Sequence, residues 1–376
     1  MIKRATEERI HNALAKKKVV TIMGPRQVGK STLAGAMIPE DADVLEINGD
    51  NTDVQTMFVN VDDTKMKVLI GNKNFLFVDE AQKIGNVGNM LKIVAEKFDD
   101  VKVIVTGSSA FKLAEAVNES LTGRKREFRL YPLSFKEMAD ETSVLEESRM
   151  IDHRLIYGYY PEVVTSPGDE KEVIKELIDS YLYKDVLEEN EIAKQDKLVR
   201  LVQALAFQIG STVSANELAG LVGVDAKTVE RYIDILEKCY IIFTLPSYAK
   251  NQRNELKFAR KIYFWDMGIR NGVIGNMAPV SLRSPEELGH MWENFLIAER
   301  IKRNDYAGRT FVLHYFWRTQ QKKEVDLIEI EDGMMTGFEI KRKEGKRVGA
   351  PASFTTAYPD ARFECVTPSD LMSFLM

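Results

Sequence analysis

Two glycines, a lysine and two hydroxyls in Gly24-Pro25-Arg26-Gln27-Val28-Gly29-Lys30-Ser31-Thr32 are spaced as a polyphosphate tail requires. The stretch satisfies G-x-x-x-x-G-K-[ST] at every position. Gly24 and Gly29 let the backbone turn tightly, so that successive N–H groups point at phosphate oxygens. Lys30 adds a point charge for the β- and γ-phosphates, and the Ser31 hydroxyl is placed to ligate Mg²⁺. Further along, Phe75-Leu76-Phe77-Val78 runs into Asp79-Glu80, an apolar run ending in two carboxylates. At the C-terminal edge of an open α/β sheet, Asp79 would hold Mg²⁺ through water and Glu80 would polarise an attacking water. Another apolar run ends in Thr106-Gly107-Ser108-Ser109, where a polar side chain could contact the γ-phosphate or that water. Ser109 also reads as a helix N-cap. Arg124, in Leu121-Thr122-Gly123-Arg124-Lys125-Arg126, reads either as a guanidinium for transition-state charge or as part of a solvated basic turn.

A second constellation lies near the C-terminal end. Glu324-Val325-Asp326-Leu327-Ile328-Glu329-Ile330 is followed by a turn at Glu331-Asp332-Gly333 and then by Phe338-Glu339-Ile340-Lys341-Arg342. Strand side chains alternate, so Glu339 and Lys341 share one face, while Phe338 and Ile340 turn to the core. With Asp326 on the same side, and Glu293 contributed by a helix opening at Trp292, two or three carboxylates could bind Mg²⁺ beside a lysine that orients water for attack on a phosphodiester. The order resembles the PD-(D/E)xK nuclease core, with Asp326, Glu339 and Lys341 in its motif positions and Glu293 as the helix acid. Lys322, Lys323, Lys341, Arg342, Lys343, Lys346 and Arg347 form a basic rim suited to a nucleic-acid backbone.

These residues need elements to carry them. Val19–Met23, 44–47, 75–78 and 101–105 are short apolar runs rich in β-branched residues, and most are separated by helical patterns. That alternation predicts a parallel sheet with helices on both faces. An amphipathic helix is expected over 1–18, and helical periodicity dominates 135–210. β signal returns from Tyr263 and ends in a hairpin near 311–342. In 211–245, Ser214 and Glu217 read as a capping box. Two helices turn at Gly223, the second opened by Asp225, and a β-rich tail Ile241–Leu245 follows: a winged-helix pattern. From Asp225 to Cys239, Lys227, Arg231 and Lys238 stand against Asp225, Glu230, Asp234 and Glu237. Such a helix suits a structural or protein contact better than DNA.

The chain has 376 residues, 44% hydrophobic and 29% charged, enough for two or three domains. A net charge of −5 makes any nucleic-acid surface local. Cys239 and Cys365 are isolated, and His11, His153, His290 and His314 are scattered. These argue against a disulfide framework or a zinc site. No apolar run approaches the roughly 18 residues of a spanning helix, and the start lacks a signal h-region. The expectation is a cytoplasmic protein with no membrane partner.

Taken in order, GPRQVGKST, FLFVDEAQKI, VTGSSAFKL, LTGRKREFRLYPLSF and Gly158-Tyr159-Tyr160-Pro161-Glu162-Val163 resemble the AAA+-type ATPases of bacteria and archaea that carry a C-terminal DUF4143 domain. The resemblance covers nearly the whole chain. It implies phosphate and Mg²⁺ ligation by Lys30 and Ser31 and an acidic pair at Asp79 and Glu80. It also implies a sensor role for Thr106 and places Arg124 in the family's L-x-G-R segment. Tyr159 stands where the family's G-G-x-P-like segment has glycine. The expected architecture is a P-loop α/β core over 1–134, a helical lid over 135–200, a winged-helix-like module over 201–250, and an α/β restriction-endonuclease-like domain over 251–376. The expected chemistry is Mg²⁺-dependent hydrolysis of ATP driving a conformational switch. The rivals are an ATP-regulated DNA nuclease using the C-terminal site and a non-catalytic nucleotide-binding adaptor. The partners to weigh are ATP, DNA at the C-terminal domain, and a protein partner or a second copy.

Overall fold

A computed structural model describes residues 2–16, 19–108, 121–180, 186, 192, 194–249 and 260–376. The expected N-cap Ser109, and lysines 17 and 18, lie outside these. The chain folds as two compact units, Met1–Tyr131 and Pro132–Met376.

In the first unit, β1 (Val19–Met23), β2 (Val44–Asn48), β3 (Phe75–Asp79), β4 (Lys102–Gly107) and β5 (Lys125–Arg129) form one sheet in the order β2-β3-β4-β1-β5. All its pairings are parallel. Val20, Ile22, Leu76, Val78, Ile104 and Val105 are wholly buried, as strands covered on both faces require. β5 was not anticipated. Its sequence, Lys-Arg-Glu-Phe-Arg, buries only Phe128, because it is an edge strand. The first helix spans Glu7–Ala15 and is shorter than expected.

The second unit opens with short helices, among them Phe135–Glu141, Val144–Arg149 and Ile151–Tyr157. The last ends at Gly158 (φ 75°), where an added Cβ would lie 2.1 Å from an Asp266 carboxylate oxygen. That carboxylate accepts the Tyr159 N–H at 2.6 Å, and the Tyr159 hydroxyl donates to Glu147 at 2.7 Å. Tyr159 is thus buried structure in the Gly-Tyr-Tyr-Pro segment. Helices Ala215–Val222 and Ala226–Lys238 meet at Gly223, a left-handed C-cap. Asp225 caps the second through the Thr228 N–H at 2.9 Å, but Ser214 makes no side-chain cap bond, so the expected capping box does not form. β6 (Thr212–Val213), β7 (Ile242–Pro246) and β8 (Arg260–Phe264) make an antiparallel sheet in the order β6-β8-β7. Because β8 belongs to it, this sheet runs across residue 250.

The C-terminal sheet is mixed. β9 (Leu313–Arg318), β10 (Glu324–Glu331) and β11 (Met334–Ile340) form an antiparallel meander, and β12 (Arg362–Val366) adds in parallel to β11. It has a third antiparallel strand, β9, where a two-stranded hairpin was expected. Asp332 and Gly333, at φ 50° and 80°, make the tight turn between β10 and β11 with both central residues left-handed. Trp317, Val325, Ile328 and Phe354 form the core of one face. The 22-residue helix Pro285–Tyr306 carries Glu293. No helix among the described residues is long and apolar enough to cross a membrane.

Candidate functional site

The loop from Gly24 to Gly29 joins β1 to the helix Lys30–Ala36, so the expected strand–loop–helix context is present. Gly24 has no alternative: an added Cβ would lie 2.0 Å from the Leu130 carbonyl oxygen. Gln27 (φ 60°) and Gly29 (φ 88°) take left-handed conformations that curl the loop. Lys30 is buried, and its ammonium donates to the Pro25 carbonyl at 2.7 Å, so the loop wraps around its own cation. Arg26 is half-buried, and Ser31 and Thr32 are exposed. Behind the loop, buried Arg4 donates to the carbonyls of Val28 at 2.7 Å and Tyr131 at 2.8 Å. Sequence reading missed this brace, because a lone arginine ahead of an amphipathic helix has no motif around it.

The ends of β3 and β4 bring the acidic pair to this loop. Ser31 Oγ donates to the Asp79 carboxylate, 2.9 and 3.0 Å from its two oxygens. Thr106, wholly buried, donates to Asp79 and accepts the Glu80 N–H at 3.2 Å. Glu80 itself sits at φ 47°, a left-handed conformation that costs a non-glycine residue about 1 kcal/mol or more and tends to persist at functional sites. Its carboxylate accepts from Gln82 Nε2 at 2.5 Å and from Ser108 Oγ at 3.1 Å, and Gln82 also bonds Ser108 at 2.8 Å. Gln82 was not singled out from the sequence, although its place two residues beyond an acidic strand end is a usable signal. An added Cβ on Gly49 would come within 2.3 Å of the Glu80 carbonyl oxygen, so glycine must follow β2 for β3 to present the pair.

The hydroxyl of Ser31 beside Asp79 fits Mg²⁺, which keeps several waters and takes one or two protein oxygens plus phosphate. Arg124 is not brought to the loop. Its carbonyl accepts the Val19 N–H at 3.0 Å, at the start of β1. The loop leaves the far end of that strand, about 16 Å away. Arg124 is half-exposed and pairs with Glu96 at 2.6 Å.

The second constellation does assemble, with additions. Asp326 lies on β10, Glu339 on β11, Lys341 just beyond β11 and Glu293 on the long helix. Asp326 is buried and accepts the Ile340 N–H at 2.8 Å. Burial, then the negative charges of Glu293 and Glu339, push its carboxyl well above the usual aspartate range. Lys341 donates to Glu339 at 2.5 Å. Burial works against the Lys341 charge, but the Glu339 hydrogen bond and the Asp326 charge outweigh it and raise its affinity for the proton. Two residues absent from the motif complete the group. Lys261 of β8 bonds Glu293 at 2.9 Å and also pairs with Glu324, and the Tyr263 hydroxyl donates to Glu293 at 2.6 Å. Among the described residues, no group of three His, Cys, Asp or Glu side chains is placed to hold a metal ion.

Residues 16–139 match the family described as AAA domain, and residues 288–370 match a domain of unknown function, DUF4143. Residues 148–279 match a further domain of unknown function, DUF8612. The chain therefore carries an AAA-type P-loop domain followed by a C-terminal DUF4143 domain. An uncharacterized protein of Mycobacterium tuberculosis is 26% identical over 346 residues, 90% of this chain and 74% of that protein. One of Methanocaldococcus jannaschii is 22% identical over 333 residues, 83% of this chain and 72% of that protein. Among solved structures, a signal-transduction ATPase with a tetratricopeptide repeat sensor from Pyrococcus horikoshii aligns over 82% of this chain and 50% of its own. Its identity is 12% and its TM-score 0.31. This chain spans about three quarters of the mycobacterial relative and half of that solved structure. The fold assignment rests on the AAA match and on the parallel sheet with its loop after β1.

Proposed function

We propose that the first unit binds ATP with Mg²⁺ and hydrolyses it, and that the cycle drives a conformational switch. The observation that carries this is the meeting of Ser31 and Asp79 at 2.9 Å beside a buried Lys30 whose ammonium is already turned into its loop. A bound Mg²⁺ would supply charge neutralisation between the β- and γ-phosphates. Residues 24–32 would cradle the phosphates with backbone N–H groups, and Lys30 would exchange the Pro25 carbonyl for phosphate oxygens. Glu80 would position and polarise the attacking water, its carboxylate aimed by Gln82 and Ser108. Thr106, which bonds Asp79, would keep the acidic pair in register.

The four-part division at residues 134, 200 and 250, with a lid and a winged-helix-like module, remains part of this proposal. The helix pair at Gly223 and the antiparallel strands after it support the module, and the acidic second helix favours a protein contact for it. Self-association is favoured by the position of Arg124. DNA at the C-terminal domain belongs to the nuclease alternative, and the adaptor reading differs in predicting binding without turnover.

Phosphate release from Mg-ATP decides between hydrolysis and mere binding. Lys30→Ala is expected to abolish both binding and turnover. Glu80→Gln is expected to bind ATP normally and to lose about 10²-fold or more in kcat, in keeping with the loss of a general base. Wild-type turnover in Glu80→Gln would refute its role, and an absence of Mg-ATP binding in calorimetry would refute the whole reading.

A further inference from the structure

Lys261 reaches the C-terminal acidic group from outside the motif that defines it. It stands on β8, in the three-stranded sheet opposite Thr212, whereas Asp326 and Glu339 belong to the mixed sheet and Glu293 to the long helix. Its side chain is 2% exposed. The ammonium bonds Glu293 Oε1 at 2.9 Å and Glu324, and lies 5.5 Å from the Phe316 ring centroid. Burial works against its charge, but the charges of Glu293, Asp326 and Glu324 outweigh burial and hold the proton more firmly than in water.

An ammonium in that place competes with a metal ion on two counts. Mg²⁺ needs carboxylate oxygens about 2.0–2.1 Å away in near-octahedral array. Glu293, the carboxylate the helix would lend, already accepts from Lys261 and from the Tyr263 hydroxyl at 2.6 Å through Oε1. A second cation placed against a buried ammonium would also be strongly repelled at low local dielectric. Three cations already stand among the carboxylates. Glu293, Glu324, Asp326 and Glu339 face Lys261, Lys341 and Arg318, whose Nε lies 3.4 Å from Glu324.

We infer that Lys261 fills the cation position of the Asp326–Glu339–Lys341 group, which is therefore an internal ion-pair joint between the three-stranded sheet, the helix Pro285–Tyr306 and β10, and not a metal-dependent phosphodiester-cleaving site. The inference is independent of ATP hydrolysis, since every residue it uses lies in the second unit.

The test counts bound Mn²⁺ by electron paramagnetic resonance on the full chain without nucleotide, beside an assay of supercoiled plasmid with Mn²⁺. Wild type and Asp326→Asn should bind the same amount of Mn²⁺ and leave the plasmid intact. Lys261→Met, which keeps the apolar stem and removes the charge, should gain one Mn²⁺ that disappears again when Asp326→Asn is added. The inference is overturned if wild type binds an Mn²⁺ that Asp326→Asn or Glu339→Gln loses, if wild type nicks DNA in an Asp326-dependent way, or if folded Lys261→Met gains no ion. Should Lys261→Met fail to fold, the comparison of wild type with Asp326→Asn still decides, because a metal site in the native protein would appear there.

Discussion

Glu80 is aimed from two directions, and its backbone is held in a conformation that glycine would adopt more readily. Gln82 bonds its Oε2 at 2.5 Å and Ser108 bonds the same oxygen at 3.1 Å, while Gln82 and Ser108 bond each other at 2.8 Å. A hydrogen bond to a charged acceptor contributes about 1.5–3 kcal/mol, roughly 10- to 100-fold if the loss is felt in the transition state. Gln82→Ala should therefore lower kcat by about that factor. KM for ATP should stay close to wild type, because Gln82 has no place in the phosphate loop. Steady-state phosphate release reads both constants. A rise in KM with kcat unchanged would mean that Gln82 serves nucleotide binding and that its bond to Glu80 is incidental.

At the scale of elements, a buried, forked ion pair ties the helix Pro285–Tyr306 to β10. Arg300 forks onto Glu329 with bonds of 2.9 and 2.7 Å, Asn304 adds one at 2.6 Å, and His314 stands 3.5 Å away. Burial would raise the Glu329 carboxyl, but the Arg300 hydrogen bonds outweigh it and hold the carboxyl well below the usual glutamate range. Stability from such a group is present above the unfolded-state value and is lost as pH falls toward the depressed one. Glu329→Gln should thus cost about 3 kcal/mol near pH 5, and the gap to wild type should narrow as pH approaches about 2. Denaturant unfolding at the two pH values measures it, and a gap that does not change with pH would contradict this account. These elements were legible to unequal degrees. β1, β3 and β4 could be read because buried parallel strands are continuous apolar runs, β2 because it keeps three apolar residues although it is an edge strand that buries only Ile47, and the phosphate loop because its chemistry fixes residue type and spacing. β5 was hidden because an edge strand can be polar. Lys261 was hidden because its partners lie 32 and 63 residues away, and no local pattern records a pairing between sheets. Ser214 and Glu217 had the spacing of a capping box, yet spacing does not oblige the side chain to turn back.

At the scale of the whole molecule, the position of Arg124 constrains how the first unit could work. Arg124 adjoins the start of β1 through the Val19 N–H, and the phosphate loop leaves the end of that strand. No rotamer of an arginine spans the roughly 16 Å of strand between them and also turns the sheet edge. If Arg124 stabilises charge on a γ-phosphate, that phosphate is bound to a second copy of the chain. Its present partner, Glu96, is a surface ion pair contributing about 1 kcal/mol or less, which an interface could readily replace. Two variants, each impaired alone, then become complementary. Lys30→Ala keeps Arg124 but has a damaged loop, and Arg124→Ala keeps the loop but lacks the guanidinium. Mixed in equal amounts, they should hydrolyse ATP faster than the sum of the two separately. Wild-type specific activity should also rise with protein concentration, while Arg124→Ala should bind ATP as wild type does at every concentration. A stabilising arginine supplied by a neighbour contributes about 10³-fold or more in other phosphoryl-transfer enzymes, so the gain on mixing should be large. Wild-type turnover in Arg124→Ala, independent of concentration, would remove Arg124 from the mechanism and leave it a surface residue of the sheet's outer edge.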